Sequence, residues 1–220
     1  ANLKESGLWL GIRKGINELL RPKKETAQPQ PMPKDTRPLA LSIIICTTGT
    51  CRVFKDSVLS ALSQSMGAES YEVLVVWNRP DPPPAEEYPK EIRWISEPRQ
   101  GLSHARNTGA AQARGRVLLY LDDDAVAPKQ LAEVMARTFL KHHSAAIVGG
   151  QIFTIIPNPR PAAVLPGREE LWSAYRVPYR RYRTVREQYA FPYGACFAVR
   201  HSVLEELGGF PESYGRVGKN

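Results

Sequence analysis

Short apolar runs rich in β-branched residues, separated by helix-like stretches, set the narrowest limit on how this chain folds. Leu41-Ser42-Ile43-Ile44-Ile45-Cys46, Glu72-Val73-Leu74-Val75-Val76-Trp77, Arg93-Trp94-Ile95-Ser96 and Val117-Leu118-Leu119-Tyr120-Leu121 are four to six residues long. Hydrophobic residues at consecutive positions over so short a span suit strands buried on both faces. Between them, Val53, Phe54, Val58, Leu59 and Leu62 share one helical side, and residues 102–114 are Ala-rich and helical. Pro128 is expected at the first position of a further helix, where its missing N–H costs nothing. Residues 145–153 read as a fifth strand. The alternation predicts an α/β fold, a mostly parallel sheet covered by helices.

Charge is distributed unevenly. The chain has 220 residues, with Lys+Arg 30 against Asp+Glu 22 and a net charge of +8. Residues 1–40 carry eight Lys/Arg and four acids, and residues 160–187 carry seven Arg and three Glu, so each segment contributes +4 and the remainder is neutral. The basic character therefore belongs to two peripheral segments. Leu8, Ile12, Ile16 and Leu19/Leu20 form one helical face with Trp9 beside it, and Arg13, Lys14, Arg21, Lys23 and Lys24 lie beside or after it. That pattern fits a helix docked on the domain or a partner, or one lying on an anionic membrane surface. Prolines 22, 29, 31, 33 and 38 mark a linker, so residues 1–38 are expected to be a helix and linker, and 39–220 the folded domain. No apolar run approaches the roughly 20 residues that cross a bilayer. Nothing near Leu8 reads as a signal peptide. Cys46, Cys51 and Cys196 are a poor disulfide framework and fit a reducing cytosol, with peripheral contact at the inner face of the membrane through 8–20.

Ligands of open α/β sheets bind beyond the carboxyl ends of strands. The first run leads into Thr47-Thr48-Gly49, which lets a ligand approach backbone. The second ends in Trp77-Asn78-Arg79: a ring, an amide and a cation. The fourth ends in Asp122-Asp123-Asp124. If strand alternation continued, Asp122 and Asp124 would point to one side and repel each other. A divalent cation relieves such repulsion, and Mg2+ takes one or two protein carboxylates plus water and substrate phosphates. A solvated acidic loop would explain the acids but not their attachment to a buried strand. Gly101 and Arg106 belong to a further constellation, Gly101-Leu102-Ser103-His104-Ala105-Arg106-Asn107-Thr108-Gly109. Arg106 is a fork suited to phosphate oxygens, and Ser103 is placed to cap the helix that follows. His104 is assigned no role.

These segments, in this order and followed by Gly208-Gly209-Phe210-Pro211-Glu212, resemble the nucleotide-sugar-binding half of family 2 glycosyltransferases with the GT-A (Rossmann-like) fold. The resemblance covers roughly residues 39–216. It implies an inverting sugar transfer from a UDP-, dTDP- or GDP-linked donor to a hydroxyl of a glycan or lipid-linked acceptor, as in cell-envelope polysaccharide synthesis. Asp122 and Asp124 match the family's Asp-x-Asp motif for Mg2+ or Mn2+, with Asp124 the principal ligand. Thr47, Thr48 and Gly49 match the nucleobase loop, and Arg106 matches an arginine near the donor phosphates. Trp77, Asn78, Gly101, Asn107 and Asp123 complete the expected donor-binding set.

The departures from the family are specific. Trp77-Asn78 stands where many relatives carry an acid that reads the base, and Pro211 replaces an aspartate. The family's Glu-Asp motif, source of the catalytic base, is expected after Asn220. The alternative implied is a non-catalytic nucleotide-sugar-binding module, or an inactive fragment lacking the base. Residues 160–189 interleave arginines with Trp172, Tyr175, Tyr179, Tyr182 and Tyr189. They fit acceptor or anionic-glycan contact or a packed surface loop, and fit nucleic acid less well.

Overall fold

The computed structural model describes residues 35–156, 158–167, 174 and 192–214. The expected amphipathic helix over 8–20, most of the linker and the Arg/Tyr-rich segment from 168 to 191, apart from Ala174, lie outside the described residues. Four strands, β1 (Leu39–Thr47), β2 (Tyr71–Trp77), β3 (Ile92–Ser96) and β4 (Gly115–Asp122), pair in parallel in the spatial order β3-β2-β1-β4. Two antiparallel strands extend the sheet beyond β4: β6 (Cys196–Arg200), then the edge strand β5 (Ile147–Gly149). Helices α1 (Phe54–Leu62), α2 (Leu102–Gln112), α3 (Leu131–Lys141) and α4 (His201–Glu206) complete the described elements together with two short 3-10 turns.

Alternation of side chains along β1, β2 and β4 divides the core between the two faces of the sheet. Ile43, Ile45, Val73, Val75 and Leu119 pack with Phe54 and Val58 of α1 and Met135 and Phe139 of α3. Ile44, Leu74, Val76, Leu118 and Tyr120 pack with Ala105 of α2, Phe197 and Leu204. A Cβ on Gly109 would meet Ile44 Cγ2 at 2.7 Å, so the bare backbone is what lets α2 settle on the sheet.

With both faces apolar, a one-residue slip would not move apolar side chains into water, so hydrophobic pattern alone cannot fix the register. A buried polar knot at the amino ends of the strands does. Glu72 accepts from the Ser42 hydroxyl (2.7 Å), the Arg114 backbone N–H (2.6 Å) and Arg114 Nε (3.0 Å), and it also pairs with Arg93. The Gly115 N–H donates to Ser42 Oγ (2.9 Å), tying β4 to the same point. Desolvation pushes the Glu72 carboxyl up, but the Arg114 backbone, Ser42 and Arg93 outweigh it and hold it below the usual range.

Three local expectations are corrected. Pro128 precedes α3 instead of opening it: its carbonyl accepts from the Leu131 N–H (3.0 Å), which makes it part of the entering turn. Ser103 lies inside the first turn of α2, and Gly101 is the capping residue, with no side-chain cap. The fifth strand shrinks to the three residues Ile147–Gly149, paired with Phe197–Val199 and flanked by single backbone bonds from the Gly150 N–H to the Cys196 carbonyl (3.1 Å) and from the Arg200 N–H to the Ala146 carbonyl (3.0 Å). Among the described residues no helix is long and apolar enough to cross a membrane.

Candidate functional site

Parallel pairing brings the carboxyl ends of β1, β2 and β4 to one edge of the sheet, with Thr47 opposite Trp77 and Cys46 opposite Asp122. The three segments singled out at strand ends are therefore neighbours in space. At this edge β4 stops: Asp122 is its last residue, and the Ala125 N–H donates to the Asp122 carbonyl (3.1 Å), closing a turn over 122–125. Strand alternation consequently does not reach Asp124, and the shared side expected for Asp122 and Asp124 is replaced by a turn that deals the three carboxylates to different surroundings.

Asp123 is drawn toward the end of β1. It accepts from the Thr47 hydroxyl (2.6 Å), and that hydroxyl accepts from the Gly49 N–H (2.9 Å), so Thr47 is spent in orienting the carboxylate. Burial pushes the Asp123 carboxyl above its usual range, Thr47 pulls it back and the Asp124 charge adds to the rise. Asp122 faces α2 instead, with Oδ1 3.9 Å from Arg106 Nη2. Asp124 is exposed in the turn. Burial pushes the nearby Cys46 thiol up to about 12, so it stays protonated and apolar in character.

Arg106 sits in an aromatic cage. Its guanidinium carbon lies 5.8 Å from the Tyr120 ring, 5.2 Å from Phe197 and 5.6 Å from Phe210, and Nη2 donates to the Gly194 carbonyl (3.4 Å). A desolvated cation over aromatic faces gains on the order of 2 kcal/mol. That fixes the fork beside Asp122 before any ligand arrives.

Several residues expected to touch a donor are turned inward. Trp77 is 6% exposed; a Cβ on Gly49 (φ 74°) would meet its ring at 2.2 Å, and Trp94 lies edge-on to it at 6.2 Å. Its faces are covered, and the stacking platform is closed. Arg79 lies over the same indole (5.6 Å), pairs with Asp81 (2.7 Å) and donates to the Thr48 carbonyl (3.3 Å). Asn78 donates to the carbonyls of Glu97 (2.8 Å) and Arg99 (2.7 Å) and accepts from the Gly101 N–H (2.9 Å). Its amide closes the loop between β3 and α2 instead of reading a ligand. Asn107 donates to the Phe210 carbonyl (2.9 Å) and accepts from the Phe210 N–H (2.8 Å), a clamp on the Gly-Gly-Phe segment. Thr48 and Gly49 stay at the mouth, with Thr48 and Thr50 hydroxyls 3.1 Å apart.

Glu97 escaped sequence reasoning. It is buried, accepts from the Arg99 N–H (2.9 Å), Arg99 Nη2 (2.8 Å) and the Thr108 hydroxyl (2.6 Å), and the Arg99 guanidinium holds its carboxyl down at about 2. A single acid after a strand looks like any surface acid until α2 is folded against it. The Arg106 cage was equally hidden, because Phe197 and Phe210 are about ninety residues or more away along the chain.

Among the described residues no group of three or more His, Cys, Asp or Glu forms an all-protein cage. One or two carboxylates with substrate phosphates are enough for Mg2+, and a turn that leaves Asp124 exposed and Asp122 half-buried supplies carboxylates of that kind.

The family described as Glycosyl transferase family 2 matches residues 42–208. The chain belongs to glycosyltransferase family 2. The glucosyl-dolichyl phosphate glucuronosyltransferase of Haloferax volcanii is 25% identical over 188 residues, 82% of this chain and 58% of that protein. The chain thus spans less than two thirds of the relatives it matches. In fold it is similar to S. aureus TarS 1-349 (TM-score 0.59, 18% identity, 79% of this chain and 51% of that one). It is also similar to the mannosyltransferase PcManGT of Pyrobaculum calidifontis, solved with GDP-Man and Mn2+ (TM-score 0.53, 19% identity, 93% and 55%). The sheet is that of the family's GT-A fold, and TarS has also been solved with UDP and with UDP-GlcNAc.

Proposed function

We propose that this chain is the donor-binding domain of an inverting glycosyltransferase that takes a sugar nucleotide and a divalent cation at the edge formed by β1, β2 and β4. The observation that carries the reading is the turn at 122–125, which ends β4 with Asp122 facing a caged arginine, a half-buried Asp123 held by Thr47, and Asp124 exposed. The neighbours solved with UDP-GlcNAc and with GDP-Man and Mn2+ support a nucleotide-sugar donor and Mg2+ or Mn2+.

Asp124, with Asp122, would hold the ion. When bound, it neutralises charge on the departing diphosphate as a Lewis acid. Arg106, fixed by its cage, offers its fork to the phosphate oxygens next to Asp122. Thr48 and Gly49 present a hydroxyl and open backbone to the nucleoside. An acceptor hydroxyl then attacks the anomeric carbon from the face opposite the diphosphate. The new C–O bond forms as the bond to phosphate breaks, the electron pair leaves with the diphosphate, and the acceptor proton passes to a carboxylate base. The family's Glu-Asp segment is the expected source of that base. The acceptor is a glycan or lipid-linked hydroxyl, and the basic segments suit peripheral contact with an anionic surface.

The test is donor hydrolysis, followed by nucleotide release, with UDP-, dTDP- and GDP-sugars in Mn2+ and in chelator. One donor class should turn over in Mn2+ alone. Hydrolysis unaffected by chelator would remove the metal from the reading.

A further inference from the structure

Asn107 ties two parts of the molecule that are far apart in sequence. Its side-chain amide makes a reciprocal pair with the backbone of Phe210, donating at 2.9 Å and accepting at 2.8 Å. Gly209 adopts φ 86°, and a Cβ there would meet Asn107 Oδ1 at 2.7 Å, so the close seat requires glycine. Phe210 in turn is edge-on to Tyr120 (5.3 Å) and Phe197 (6.2 Å) and forms the third wall around the Arg106 guanidinium. Arg106 adjoins Asn107 on α2 and reaches back to the Asp122 carboxylate and the Gly194 carbonyl. Chemistry at the acidic tip is thereby linked to the Gly-Gly-Phe segment through one amide and one ring.

We infer that Asn107 is a positioning residue for the phosphate-binding cation: by clamping Gly209–Phe210 it closes the aromatic cage that holds Arg106 beside Asp122. This rests on the proposed donor site, but the clamp and the cage can be measured without ligand. An amide suits the task because it satisfies a backbone donor and a backbone acceptor at once. Removing it leaves the Phe210 N–H and carbonyl without their partner and lets the ring swing off the guanidinium. An arginine released from its cage keeps its charge but loses its fixed direction, so phosphate binding weakens while the nucleoside's own contacts persist.

Two measurements test the inference. In the ligand-free protein, three rings around Arg106 should displace its guanidinium Nε–H resonance, assigned with Arg106→Lys; in Asn107→Ala that resonance should return toward the position of a free arginine. Titration with UDP and GDP in Mn2+ supplies the second arm. Asn107→Ala should weaken the diphosphate about tenfold, the lower end of what loss of an outer supporting partner costs, and leave uridine or guanosine unchanged. In an Arg106→Ala background the same substitution should change affinity less than twofold. An unmoved guanidinium resonance, or an equal loss in both backgrounds, would show that Asn107 supports only the fold and overturn the inference. If the wild type binds neither nucleotide, the proposed donor site fails, and the ligand-free resonance still decides the role of Asn107.

Discussion

At Gly49 one backbone angle decides the shape of the first loop. A side chain there meets both the left-handed conformation at φ 74° and the Trp77 ring at 2.2 Å. The conformational strain is about 1–2 kcal/mol and the overpacking about 1–3 kcal/mol, so Gly49→Ala should lower unfolding free energy by roughly 2–5 kcal/mol in a urea titration. Glu97 makes a pH prediction with a defined sign. Its folded carboxyl is held near 2 against an ordinary 4.5, with a side chain only 5% exposed. A depressed carboxylate stabilises the fold fully above the ordinary value and ceases to do so as pH falls through the folded one. Up to about 3 kcal/mol should disappear between pH 5 and 2. Glu97→Gln should remove that part of the acid slope, as thermal unfolding at stepped pH would record. Residues of this kind were poorly legible in sequence: the Asp run, Arg106 and Gly49 stood out, but Trp77, Asn78 and Asn107 look like ligand-reading groups. Only tertiary contacts reveal that the Trp77 faces are covered and the Asn78 and Asn107 amides are already paired.

At the scale of elements, the four parallel strands and the two longest helix regions were readable because short continuous apolar runs leave few other folds. The β6 strand was not, since five residues following an Arg/Tyr-rich stretch carry no period. Element ends failed where propensity met packing, as at Pro128 and Ser103. The Glu72 knot does what hydrophobic pattern cannot, pinning β1, β2 and β4 in one register. Glu72→Ala leaves Ser42 and the Arg114 N–H without their acceptor and two arginines without their partner, and should cost about 3–5 kcal/mol in denaturant unfolding. Arg200 plays the matching part at the end of α3, donating to the carbonyls of Phe139 (2.9 Å), His142 (3.1 Å) and Ala145 (2.8 Å). Arg200→Ala should loosen that helix end by about 2 kcal/mol and raise amide exchange over its last turn.

Over the whole molecule, each layer serves one edge. Apolar strands set the sheet, the buried acid knot fixes its register at the far end, and the near end collects a loop, a caged arginine and a turn of three carboxylates. Burial first, and the Asp124 charge after it, raise the Asp123 carboxyl; a cation held at Asp124 and Asp122 would offset the second of these. Calorimetric titration of UDP and GDP into the wild type and Asp124→Asn, each with and without Mn2+, tests most directly whether a divalent ion joins this turn to a diphosphate. The account predicts binding of at least one nucleotide that requires Mn2+ in the wild type and is lost in the variant; equal affinity in all four conditions would contradict it.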